Sequence, residues 1–485
     1  MAMESANRGL TRVHAAEVVG RDRRNGIGQR GRFARLLADR DKLTTLQSAE
    51  SHGGVCRQCP QGTVSTMEDV CAFAEASEPV AEPRMRRVAN RKGKSMPRPI
   101  PNLIGAAIGA LVMLGLPAAT HAEPGVFADK IVFGQSAAFK GPAAALGLGM
   151  REGILAAFEE VNAGGGINGR KLELVSYNDG YEPNKAIENT KRLLDEDKVF
   201  ALIGEVGTPT SKAAQPIASD MGVPFIGPFT GAEFLRSPYK RTVINVRASY
   251  YQETEAMVER LVEDLGVSRI AILYQDDSYG RAGLAGVQLA LDKRDMELVA
   301  EGTYKRNTVA VKRAVLAIRK ATPEAVIMIG AYKPCAEFIR VARKVGLESK
   351  FLNVSFVGSK ALAKELGATG QGVIVTQVVP FPEDTSNPLV ANYQEALRVW
   401  SPEAEPGFVS LEGYLVGRLT IKVLQELGGT VTRESFLDKV AEIGNFDLGG
   451  VSLTYGLEDN QGMDQVFLTV IQSDGRFSAV DRLEP

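Results

Sequence analysis

From Asp129 onward, short apolar runs alternate with longer stretches in which apolar residues recur every three or four positions. That alternation predicts strand and helix in turn. Residues 131–133, 172–175, 200–203, 223–226 and 243–246 read as strands. The stretches 147–161, 183–194, 209–221 and 251–265 read as the helices that separate and follow them. A second run repeats the scheme, with strands at 270–274, 297–304, 325–329, 351–354 and 373–376. Its helices fall at 278–293, at 309–320 and through Phe338, Ile339, Ala342 and Val345. Within 309–320, Val311, Ala314, Val315 and Ile318 stand at i, i+3, i+4 and i+7, one apolar face of a helix.

Continuous apolar strands between amphipathic helices indicate parallel sheets covered on both faces. Two such runs predict an α/β chain of two doubly wound parallel-sheet lobes. After Pro380 the pattern turns helical, at 388–400, 409–427 and 435–443, and ends in strand-like pieces at 451–454 and 466–471. This tail is too short for a third domain and is expected to return to the first two.

In open α/β sheets, ligands bind beyond the C-terminal ends of the strands, so the residues following each strand are the candidates. After Ile203 comes Gly204-Glu205-Val206-Gly207-Thr208-Pro209. Thr208 reads as an N-cap with Pro209 at the first helical position, which aims free N–H groups and a positive dipole end at the crevice. Such an end suits a carboxylate; a plain capping threonine has the same pattern. Further hydroxyl-bearing or aromatic turns follow at Gly227-Pro228-Phe229-Thr230-Gly231, Gln275-Asp276-Asp277-Ser278-Tyr279, Gly330-Ala331-Tyr332 and Asn353-Val354-Ser355-Phe356. Their recurrence at one edge of both lobes points to a recognition cleft.

Charge and rare residues narrow the class. Residues 1–122 carry 18 Lys+Arg against 11 Asp+Glu, and 123–485 carry 39 against 47. An acidic body offers no basic face for nucleic acid. All three histidines (His14, His52, His121) and three of the four cysteines (Cys56, Cys59, Cys71) precede residue 123. The rest, with Cys335 alone, has no His-based triad, no His/Cys zinc site and no internal disulfide. No cofactor is expected. The glycines at 147, 149 and 153 miss the G-x-G-x-x-G spacing, because Glu152 stands where the third is needed. Asp276-Asp277 has the form of a paired acid site or of a loop and helix cap.

Before the body, a basic stretch at 91–98 precedes a 14-residue apolar run at 103–116 and the small-residue sequence Ala118-Ala119-Thr120-His121-Ala122. This is the pattern of an export signal cleaved after Ala122, and the run is short for a membrane span. Residues 96–122 are therefore expected to be a signal peptide that sends the chain to the periplasm. Residues 1–95 are expected to be a disordered or misassigned extension, with translation starting at Met96. Cys56-x-x-Cys59 lacks the second pair of a zinc site.

The order of these pieces resembles the type I periplasmic solute-binding proteins of ABC transporters, of the branched-chain amino acid (leucine-binding protein) family. The resemblance runs over about 128–475. It is carried by Asn162-Ala163-Gly164-Gly165-Gly166-Ile167-Asn168-Gly169, by Asp179 with Pro183-Asn184-Lys185-Ala186, and by the turns at Gly141-Pro142, Ile203-Gly204 and Ser278-Tyr279-Gly280. It implies a ligand held by hinge closure, ABC permease membrane subunits as partners, a monomer and no catalysis. Lobe 1 would comprise 128–248 and 381–449, lobe 2 249–380 and 450–485, with crossovers near 247–250, 377–382 and 449–451. Carried over by position, Thr208 would hold the ligand carboxylate with backbone at Phe229, Thr230 and Gly231. Tyr279 and Tyr332 would close from the second lobe, and Leu146 and Phe408 would line the side-chain pocket.

One position departs from the family. Where amino acid binders set an acid against the ligand's ammonium, this chain has Ser355, next to Phe356. A buried ammonium without a carboxylate is costly. Either Glu205, Asp276 or Asp277 substitutes, or the ligand has no ammonium and is an aromatic or aliphatic acid or an amide. Two other roles fit the same chain: a ligand-presenting sensor for a receptor kinase or chemoreceptor, and an exported carboxylate-based hydrolase.

Overall fold

The computed structural model describes residues 123–484; the expected export signal, the three histidines and the Cys56–Cys59 pair lie outside them. The first half builds a five-stranded sheet from β1 (Lys130–Ala137), β2 (Lys171–Asn178), β3 (Ala201–Ile203), β4 (Phe225–Ile226) and β5 (Val243–Ile244), in the order β2-β1-β3-β4-β5. All its pairings are parallel. Helices α1 (Ala144–Ala163), α2 (Pro183–Asp195) and α3 (Thr208–Asp220) connect the first four strands. Helix α4 (Tyr250–Leu265) then leads into the second sheet, opened by a capping box between Ser249 and Gln252.

That sheet has seven strands. Its parallel part is β6 (Ile270–Gln275), β7 (Ala300–Tyr304), β8 (Ala325–Ile329), β9 (Lys350–Asn353) and β10 (Ile374–Gln377). Between them run α5 (Ser278–Asp292), α6 (Lys312–Lys320), α7 (Tyr332–Lys344) and α8 (Ser359–Leu366). The central strand β8 is buried at every residue, as a sheet covered on both faces requires. Each such Val, Ile or Met contributes about 1.5–3 kcal/mol on leaving water. Val311, Ala314, Val315 and Ile318 are all buried, as their spacing predicts, although α6 begins three residues later than 309.

The tail returns to the body, as expected from its length, and adds antiparallel strands to the second parallel sheet. After α9 (Pro388–Trp400), α10 (Phe408–Leu427) and α11 (Arg433–Ile443), a small hairpin forms from β11 (Asn445–Asp447) and β12 (Ser452–Thr454). Then β13 (Phe467–Ile471) and β14 (Phe477–Val480) extend the second sheet antiparallel to β10 and to each other. The final order is β14-β13-β10-β9-β8-β6-β7.

The glycines of α1 serve packing. A Cβ on Gly153 would stand 1.9 Å from Ser410 O, and one on Gly413 would stand 2.3 Å from Met150 O. Helices α1 and α10 thus approach backbone to backbone, which seats Glu412 of α10 beside the junction between the sheets. Among the described residues, no helix is long and apolar enough to cross a membrane.

Candidate functional site

The loop after β3 turns at Gly207, whose φ of 104° is open to glycine and strained for other residues. A Cβ there would also meet the Tyr181 ring at 2.2 Å. This turn makes Thr208 the first residue of α3, with Gly207 as N-cap, and corrects the expected N-cap role of Thr208. The Thr208 hydroxyl is therefore free of capping and lies 2.6 Å from that of Thr230. Thr230 donates in turn to the Tyr250 hydroxyl at 3.2 Å.

Aromatic rings surround this hydroxyl chain. Phe356 of the second lobe packs on Phe229 at 5.4 Å, Tyr279 at 4.6 Å and Tyr181 at 6.1 Å between ring centroids. Tyr250 packs on Tyr279 at 5.5 Å. Gly231 lets its backbone approach Tyr250, whose N–H it accepts at 2.7 Å. All of these side chains are buried, and burial pushes the Tyr250 phenol up to about 12, so it stays protonated. The backbone expected to help Thr208 is largely engaged: Phe229 N donates to Glu205 O and Thr230 N to Pro228 O.

The predicted residues divide into two groups. Thr208, Phe229, Thr230, Gly231, Tyr279, Ser355 and Phe356 meet in the buried junction. Leu146 and Phe408 line a groove of about 510 Å³ with Gly358, Lys360 and Lys364, and none of the junction residues lines it. Tyr332 lies beside the groove, its hydroxyl accepting from Ala145 N at 3.4 Å.

Two of the three proposed stand-ins for the missing acid, Asp276 and Asp277, are otherwise occupied. Asp276 is exposed and paired with Arg281 at 2.7 Å. Asp277 caps α5 through Tyr279 N and pairs with Arg306 at 2.9 Å. This bears out the helix-cap reading of Asp276-Asp277. Glu205 is buried, accepts from Ser136 N at 3.0 Å and is pushed well above the usual carboxylate range by burial. Its other oxygen, Oε2, has no hydrogen-bond partner among the described residues.

The junction holds charged residues that strand-end reasoning missed. Arg247, in the link between β5 and α4, is fully buried, with its guanidinium 4.6 Å from the Phe229 ring centroid. It donates to Ser355 Oγ and lies 3.7 Å from Glu253 and 3.6 Å from Glu412. Burial alone would lower its pKa; Glu412 and Glu253 more than offset this and hold it above the ordinary value. Glu253 accepts from Ser355 N at 2.7 Å, Ser355 Oγ at 3.0 Å and Thr376 Oγ1 at 2.5 Å. A signal for Glu412 was available: it is the sole charged residue in the run 408–417.

Contacts also cross between the lobes at the rim. Arg306, after β7, pairs with Glu182 at 2.9 Å, and Asn307 donates to Gly180 O at 3.0 Å. The two sheets are thus drawn together over the hydroxyl and aromatic cluster.

Residues 130–476 match the family model described as periplasmic binding protein. The chain belongs to that family. The periplasmic binding protein from Rhodopirellula baltica whose crystal structure is described as a possible leucine/isoleucine/valine-binding protein is 42% identical, with a TM-score of 0.69 over 72% of this chain and 95% of that one. The Leu/Ile/Val-binding protein homolog 7 of Brucella suis is 24% identical over 78% of this chain and 96% of its own. The leucine-specific-binding protein of Salmonella typhimurium is 25% identical over 64% and 81%. These relatives are solute-binding proteins of type I architecture, and the two-lobed fold is that of this chain.

Proposed function

We propose that this periplasmic binding protein is the extracytoplasmic solute-binding component of an ABC importer, taking a small carboxylate between its lobes. The observation that carries the reading is the junction itself. In the first lobe Thr208 opens α3 and its hydroxyl pairs with that of Thr230 in the loop after β4, and from the second lobe Phe356 packs on Phe229 and Tyr279 on Tyr250 beside them. A carboxylate here meets a hydroxyl, a positive helix end and an apolar cover that excludes water. Crossovers near 247–250, 377–382 and 449–451 form the hinge. Ligand held by one lobe recruits the other and shifts the population toward the closed form, which a membrane permease then reads. Export through the signal ending near Ala122 delivers a monomer to the periplasm. No covalent step belongs to this function.

A thermal-shift screen of the purified chain tests it, with amino acids, aromatic acids, short-chain acids and amides as probes. A ligand at a hundred times its Kd adds about 2.7 kcal/mol to folding stability and raises the melting temperature. The expected result is a shift by members of the carboxylate set, with the ligand recovered chemically unchanged. Conversion of the ligand, or no shift by any probe, overturns the reading.

A further inference from the structure

The buried junction contains a cation with free hydrogen-bonding capacity. Arg247 Nε and Nη1 have no hydrogen-bond partner among the described residues, and neither has Glu412 Oε1, which faces Nε at 3.6 Å. Buried polar groups are normally paired, and an unpaired charged one is strongly disfavoured. Glu253, by contrast, is satisfied by Ser355 and Thr376. The carboxylate next to Ser355 is therefore already matched by an internal guanidinium, which rests on Phe229 and reaches Ser355 itself.

An ammonium brought into this junction meets Arg247 as a like charge where little water screens it. An acceptor oxygen meets N–H donors with nothing else to bind. The geometry points to Arg247 as the specificity-determining cation of the site, anchoring a ligand oxygen and selecting carboxylic acids and carboxamides that carry no α-ammonium. This rests on the solute-binding reading above. Arg247 is also at the junction of the lobes: it follows β5, touches Ser355 of the second lobe, and faces Glu412 on the helix packed against α1. Hinge opening exposes its free edge to the incoming ligand, and closure buries it.

The charged and titratable groups around Glu412 are Arg247, Glu253 and Arg236, and Tyr250 and Tyr279 also face Arg247. Burial pushes Glu412 up to about 7. Near that pH Glu412, when protonated, is able to donate a hydrogen bond to a ligand carboxylate and, when ionised, to accept one from an amide N–H, so both ligand classes complete the pair.

The test is calorimetric titration of the purified chain with matched compounds differing in the ammonium alone: leucine against 4-methylpentanoate and 4-methylpentanamide, and phenylalanine against 3-phenylpropanoate and 3-phenylpropanamide. The expected result is that in at least one series the compound without ammonium binds at least tenfold tighter. Arg247→Lys, which keeps the charge and loses the planar fork, is expected to weaken that compound at least tenfold. A double variant, Arg247→Met with Glu412→Leu, removes opposite charges together and is expected to lose the preference between partners. Equal or tighter binding of the amino acid in every series overturns the role of Arg247 and leaves the solute-binding reading standing. No binding in any series or in the wider screen overturns both.

Discussion

Two clusters a few ångströms apart in the junction solve burial differently. Thr208, Thr230 and Tyr250 are neutral and hydrogen-bond to one another. Arg247, Glu253 and Glu412 are ionisable, equally dry, and held at 3.6–3.7 Å with donors and an acceptor unmatched. A chain of hydroxyls loses little on leaving water when each finds a partner. Ions lose much, and each is tolerable there because the others are present. The first cluster is consequently robust to single changes, and the second is not.

The largest expected effect is in the ionic cluster. Arg247→Met leaves two buried carboxylates without their cation and should cost roughly 3–5 kcal/mol of folding stability. Urea denaturation measures it, and a cost under about 1 kcal/mol would mean that the three residues are not coupled.

Next in size is a pH dependence that the hydroxyls cannot produce. Glu412 ordinarily titrates near 4.5 and in the fold is pushed up to about 7 by burial, despite Arg247. The folded state thus holds this proton more tightly than the unfolded chain. The stability it contributes is fully present below about pH 4.5 and is lost as pH rises through about 7. Melting temperatures between pH 5 and pH 8 should fall with pH, and Glu412→Gln should flatten that slope.

Thr208→Val tests the other cluster. It removes one hydroxyl from a pair and should lower stability by about 1 kcal/mol, with a larger relative loss in binding of a carboxylate ligand. Equal damage from Thr208→Val and Arg247→Met in denaturation would erase the contrast. The smallest effect belongs to the rim. Arg306 is partly exposed and pairs with Glu182 and Asp277, so Arg306→Ala should change stability by less than about 1 kcal/mol. Its effect should appear instead in small-angle scattering, as a more open mean form.

Much of this was legible along the chain. The strand and helix order holds through both sheets, because each element depends on the spacing of its own apolar residues. The turns after strands hold too: Thr208, Phe229, Thr230, Tyr279 and Phe356 do come together. Of the α1 glycines rejected as a nucleotide motif, Gly149 and Gly153 turn out to admit α10, while Gly147 packs against the Ala138 backbone. Less legible were the antiparallel strands β13 and β14, since a parallel and an antiparallel strand have the same two-residue period.

Local pattern was thus enough for the two α/β lobes and for the loops that face each other, while the resemblance to a family marked Ser355 as standing where an acid was expected. The tertiary structure decided which charges meet. Arg247, Glu253 and Glu412 come from a linker, from α4 and from α10, and nothing in the spacing of any one segment brings them to one point. Hydrophobic periodicity is a property of neighbours in sequence, whereas the balance of buried charge depends on groups brought close by the whole fold.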